Sequence, residues 1–220
     1  MKSGRVPNRI LRYICQSCSC MPDFPQFDAA EKTLMFDAGL FERKRRVNQK
    51  IFELFENIRL ALKDSAQHKQ FLFPEGTDYT TGKIAQGENY LGYPWVMLDF
   101  PRCFKKNAMF AYRTMFWYGH YFSVSLLISG DHLSTLLPGL ASKLRPAPDA
   151  WLFATHGDAW CHDLDSSTFL PANQLSTVAI MEHGERHGYI KLSIKLDEPD
   201  MKKLSEQLVA HYEMLLQLLL

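Results

Sequence analysis

After a stretch that reads as a strand, the chain sets His156, Asp158, Cys161, His162 and Asp163 within one short loop. Imidazole, thiolate and carboxylate are the donors of Zn²⁺ and of other transition ions such as iron, and loops at strand ends are common seats of sites. His183 and His187 follow later and can complete a ligand set. One reading is therefore a metal-dependent hydrolase on His156, Asp158, His162 and His183. Zinc or iron would lower the pKa of a bound water there, and a carboxylate would take its proton. The spacing matches no closed zinc pattern, and a polar loop gathers His and Asp without any metal. The metal hydrolase therefore stands as the alternative, and the leading reading carries no metal or other cofactor.

A second constellation joins Trp95, Asp99, Arg113, Trp117 and His120. In extended backbone, residues an even number apart share a face. Trp95 goes with Asp99, and Arg113 with Trp117. If the two faces coincide, an aromatic floor carries a charge pair, as in a small-molecule site with apolar walls and a few placed polar groups. The competing account is equally physical: Asp99 and Arg113 pair across neighbouring strands while the aromatics fill a core.

Other motifs carry less. Cys15, Cys18 and Cys20 form a C-x-x-C-x-C pattern, but no second Cys or His pair follows nearby to close a zinc site. Gly76 to Lys83 reads G-T-D-Y-T-T-G-K and imitates a phosphate-binding loop. Its glycines are one residue too far apart, and Ile84 stands where the Mg²⁺-binding hydroxyl belongs. There is no G-x-S-x-G, no G-x-G-x-x-G and no H-E-x-x-H. The basic run Arg43 to Arg46 has no interleaved aromatics and reads as a solvated helix face rather than a nucleic-acid contact.

The elements that must position these residues follow from periodicity. Asp28 and Glu31 mark a helix start, and Val47, Ile51, Leu54, Ile58 and Leu62 recur at spacings of three and four, an amphipathic helix over 40–63. Residues 71–94, rich in Gly and Pro, read as a long loop. Three strands are expected at 93–100, 109–118 and 120–129, the last two joined as a hairpin through Gly119 with the middle strand central. A helix over 132–144 has to tolerate Pro138. Further strands are expected at 150–155, 176–181 and 189–196. A last helix is expected to begin at Asp197 with Pro199 in its first turn and a stripe from Met201 to Leu219. Its crowded Leu215, Leu216, Leu218, Leu219 and Leu220 suggest a homodimer through the C-terminal helix.

With 220 residues, 46% hydrophobic and 22% charged, the composition is globular, and a net charge of +1 gives no field that would draw the chain to nucleic acid or anionic lipid. No apolar run approaches the roughly 20 residues of a membrane span. The interrupted N-terminal apolar stretch and an odd count of five cysteines point to a cytoplasmic protein with reduced thiols. Residues 1–21 read as a disordered N-terminal segment and 22–220 as a single α+β domain. Its largely antiparallel sheet has about six strands, flanked by an N-terminal and a C-terminal amphipathic helix. The function read from this is a non-catalytic ligand-binding or protein-interaction module, with Trp95, Asp99, Arg113, Trp117 and His120 as its ligand site.

Overall fold

A computed structural model describes residues 25–144, 151–197 and 199–220. Cys15, Cys18 and Cys20, the segment 1–21 and the prolines at 146 and 148 lie outside the described residues. The chain divides into two units, Met1–Arg43 and Lys44–Leu220. In the first, helix α1 (Ala29–Phe36) starts at a capping box. The Asp28 carboxylate accepts from the Glu31 amide and the Glu31 carboxylate from the Asp28 amide, each at 2.8 Å. Helix α2 (Ala38–Asp64) begins in this unit and continues into the second.

The second unit is built on one seven-stranded sheet in the order β1-β2-β3-β4-β7-β5-β6, with every pairing antiparallel. The strands are β1 (Lys83–Tyr90), β2 (Tyr93–Lys105), β3 (Ala108–Trp117), β4 (Phe122–Gly130), β5 (Leu152–Ala154), β6 (Phe169–Pro171) and β7 (Tyr189–Leu196). The helices are α2, α3 (Ala66–Gln70), α4 (Asp131–Lys143), α5 (Thr177–His187) and α6 (Leu204–Leu219). This is an α+β fold with its sheet flanked by helices. The hairpin through Gly119 forms as expected, and β3 lies between β2 and β4. On one sheet face Val96, Leu98, Phe110, Tyr112, Val124, Leu126, Ile190 and Leu192 meet the helical stripes, among them Phe55, Ile58, Leu137, Leu208 and Tyr212, in the main core. Among the described residues no helix is long and apolar enough to cross a membrane.

Four local readings are corrected. Residues 83–90, expected as loop, form edge strand β1, whose backbone pairs Gly87 with Trp95. A Cβ at Gly87 would sit 2.5 Å from the Trp95 ring, so the glycine marks a close approach inside a strand rather than a break. Strand β2 runs on through Pro101 because the register shifts between Asp99 and Arg102, which removes the need for a ladder N–H at the proline. Residues 176–181, read as a strand from Thr177, Val178 and Ile180, open helix α5. The Ser176 hydroxyl caps it by accepting from the Ala179 amide at 3.1 Å, Gly188 closes it at φ +70°, and its buried positions 180, 183 and 184 have helical spacing. Helix α6 begins at Leu204 rather than at Asp197. Asp197 pairs with Lys195 at 3.0 Å, and Asp200 ties down a turn by accepting from Lys202 N at 3.0 Å.

The leucines of α6 are absorbed by this chain's own core. Leu204, Leu208, Leu215 and Leu216 are buried, Leu218 and Leu219 pack against them, and Leu220 is exposed.

Candidate functional site

The expected coincidence of faces is present. Trp95 pairs across the strands with Trp117, and Asp99 with Arg113, so all four stand on the sheet face opposite the main core. Met97, Met115, Leu127 and Tyr189 share this face in a smaller apolar cluster. His120 stands at its rim, exposed, stacked on Trp117 with ring centroids 3.6 Å apart. The Asp99 carboxylate takes both Nε and Nη2 of Arg113, at 2.7 and 2.9 Å, a bidentate pair with about a tenth of each side chain exposed.

Segment 155–168, between β5 and β6, lies over this face. Three tyrosine hydroxyls hold it. Tyr90 accepts from the His162 amide at 2.6 Å. Tyr121 accepts from the Leu164 amide at 2.7 Å and donates to the His162 carbonyl at 3.0 Å. Tyr189 donates to the His156 carbonyl at 2.5 Å. From this segment Trp160 covers Arg113 at 5.5 Å from the ring centre, and the buried His162 reaches between the Arg113 and Lys191 side chains. Arg113 Nη1 donates to His162 Nε2 at 3.0 Å. Lys191, on β7 and 1% exposed, faces His162 Nδ1 at 3.1 Å and donates to the carbonyls of Cys161 and Ala159.

The electrostatics follow from this placement. Burial and the Arg113 charge push the Lys191 amine down to about 7. Burial, then Lys191 and Arg113, hold His162 far below the usual imidazole range, so it is neutral. Two constellations separate in sequence, Asp99 with Arg113 and His162 from the metal set, thus join in one buried network. Lys191, Tyr90 and Tyr121 were not singled out by sequence reasoning. Lys191 carries no signal of its own, since it falls on the polar side of the alternating strand with Ser193 and Lys195.

The metal set does not assemble. Both His162 ring nitrogens are already taken, one by Arg113 and one by Lys191, so neither is free for a metal. His156 Nδ1 accepts from the Asp158 amide at 3.1 Å, and His183 lies against His187 with centroids 4.6 Å apart. Among the described residues no three His, Cys, Asp or Glu side chains converge as ligands.

The imitation phosphate loop contains its own anion. Asp78 accepts from the amides of Thr80, Thr81 and Gly82 at 3.1, 2.8 and 3.0 Å and from the Thr81 hydroxyl at 2.6 Å. Burial opposes its charge, but the bonds from Thr81, Thr80 and Gly82 outweigh it and hold the carboxyl well below the usual range. Asp78→Ala is expected to destabilise the fold by about 2 kcal/mol in urea unfolding at pH 7, because several charge-assisted bonds are lost together. A loss under about 0.5 kcal/mol would contradict this account.

Beneath α3 and segment 71–80 lies a cavity of about 510 Å³ that the sequence reading did not anticipate. Phe71, Phe73, Tyr79 and His68 supply ring walls, Lys63 and Lys69 are its charged lining, and no carboxylate lines it. Phe73 and Tyr79 stack at 5.3 Å, and His68 stacks on Phe100 at 5.3 Å. His68 Nε2 faces only the Tyr79 carbonyl, at 3.0 Å, so that nitrogen carries the proton and Nδ1 accepts from the Tyr212 hydroxyl at 2.6 Å. The imidazole is a neutral, fully bonded wall, and its pKa is lowered by burial.

No family model, curated protein or solved structure matches this chain.

Proposed function

We propose that this chain is a non-catalytic binding module for a small aromatic anion, taken up in the cavity between α3 and segment 71–80. One observation carries the reading: the cavity combines four rings with two lysines and no carboxylate. Its volume of about 510 Å³ falls within the range of small-molecule sites. Stacked rings favour a flat apolar body, and Lys63 and Lys69 favour a negative group at its edge. Lys69 already meets Asp64 at 2.5 Å, but that pair is largely exposed and is readily exchanged.

The sheet face bearing Trp95, Asp99, Arg113, Trp117 and His120 is the weaker ligand site. Its charges satisfy one another, and segment 155–168 lies over it. Among the described residues no three ligating side chains converge to support the metal hydrolase.

The test uses 8-anilinonaphthalene-1-sulfonate as a fluorescent aromatic anion. Saturable one-to-one binding is expected. Tyr79→Ala should weaken it roughly tenfold, as truncation of a stacked ring costs about 1 kcal/mol or more. Joint Lys63→Glu and Lys69→Glu changes should weaken it at least as much. 2-Naphthoate should displace the probe, whereas a naphthylmethylammonium ion of the same shape should not. Unsaturable binding, or binding indifferent to both sets of changes, would remove the reading.

A further inference from the structure

The hydrogen-bond count around His162 dictates the charge state of Lys191. A guanidinium only donates, so His162 Nε2, at 3.0 Å from Arg113 Nη1, must accept. The proton of the neutral ring then sits on Nδ1, which points at Lys191 Nζ at 3.1 Å. To accept it, Lys191 needs a lone pair and must be an uncharged amine. Its two remaining hydrogens match the carbonyls of Cys161 and Ala159. One lone pair and two N–H groups thus meet three partners, all in segment 155–168.

An ammonium has three hydrogens and no lone pair. One extra proton sets donor against donor at Nδ1. Moving the ring proton to Nε2 only transfers the conflict to Arg113, and Asp99 is already occupied by the other edge of that guanidinium.

We propose that Lys191 is a proton-operated latch that holds segment 155–168 over the second face of the sheet while its amine is uncharged. Opening exposes Lys191 to water and restores its ordinary basicity, so opening takes up a proton. The sign follows from linkage. Between the ordinary lysine value of 10.5 and the closed-state value of about 7, each unit fall in pH favours opening about tenfold; below about 7 the Lys191 contribution levels off, and the buried His162 and His156 add theirs only below 6.5. The other groups facing the latch are Arg113 and Asp99 from β3 and β2, Tyr90 from β1, Tyr121 before β4, and Tyr189 and Lys195 on β7. The segment itself adds His156, Asp158, Cys161, Asp163 and Asp165. Burial lowers His156 and raises Tyr90, Tyr121 and Tyr189, which moves the histidine below the window and the tyrosines toward or beyond its upper end. The Cys161 thiol is removed as a source by Cys161→Ser.

Hydrogen exchange of the full chain, corrected for intrinsic rates at pH 6, 7, 8 and 9, reads the latch at the amides of His162 and Leu164. Their protection should rise roughly fiftyfold from pH 7 to 9, with β3 and β4 unchanged. Lys191→Met should abolish the slope and Cys161→Ser should keep it. Protection without pH dependence in the wild type, or a slope that survives Lys191→Met, overturns the proposal. Should Lys191→Met not fold, the Lys191 side-chain resonance of the wild-type chain decides: titration near 7 supports the latch, and titration above 9.5 refutes it.

Discussion

Replacing Asp99 by Ala is expected to cost about 3–5 kcal/mol of stability, because it leaves a buried guanidinium without its counter-charge. Arg113 and Asp99 are each about nine-tenths covered, and the remaining neighbours of Arg113 make matters worse. His162 faces it at 3.0 Å, and Lys191 lies on the far side of that ring. Without the carboxylate, nothing in the row from β2 to β7 balances the charge of the guanidinium, since His162 and Lys191 are both neutral. Removing both partners in Asp99→Val with Arg113→Met should recover much of the loss, since a matched apolar pair can replace a buried ion pair at small cost. Recovery should be incomplete, because His162 Nε2 then loses its donor. Urea unfolding of the wild type, both single variants and the double variant gives the coupling. A single Asp99→Ala loss below about 1 kcal/mol would show that solvent reaches the guanidinium freely.

Acid should unfold this protein earlier than its carboxylates alone predict. His183 is held down to about 4 by burial and by the neighbouring His187, His156 and Arg186, and its Nε2 is buried without a partner. Burial also lowers His156, His162 and His68. In the unfolded chain each takes a proton near pH 6.5, whereas in the folded chain they resist it. The unfolded state therefore binds more protons below 6.5, and stability is lost as pH falls from 6.5 toward 4. His183 alone accounts for about 2 kcal/mol of that loss, and the other histidines add to it in the same direction. Comparing urea midpoints at pH 7 and 4.5 measures it, and His183→Gln should shrink the difference. Equal stability at the two pH values would show that these histidines protonate freely in the fold.

Much of the frame was legible because its signals are local. The capping pair Asp28 and Glu31, the stripe from Val47 to Leu62 and the alternation of Phe122, Val124, Leu126 and Ile128 each specify an element through spacing alone. The shared face of Trp95, Asp99, Arg113 and Trp117 was legible for the same reason, since side-chain direction in a strand depends only on parity. Segment 176–181 carries the β-branched Thr177, Val178 and Ile180, whereas the Ser176 cap and the Gly188 stop that decide for a helix act only at its ends. Strand β1 escapes such patterns because an edge strand needs little apolar content, and its one glycine, Gly87, answers to Trp95 on β2.

Local pattern thus determined which elements exist, which residues share a face and which motifs fail. Tertiary structure alone decided what covers each face. Parity directs Arg113 to one side of the sheet, but only the return of segment 155–168 supplies the His162 ring that joins it to Lys191 across residues far apart in the chain. The aromatic cavity arises in the same way, from α3 and segment 71–80 packing together without any motif of their own. Contacts of that kind depend on chain topology, and a charge state such as that of Lys191 depends on the count of donors and acceptors those contacts assemble.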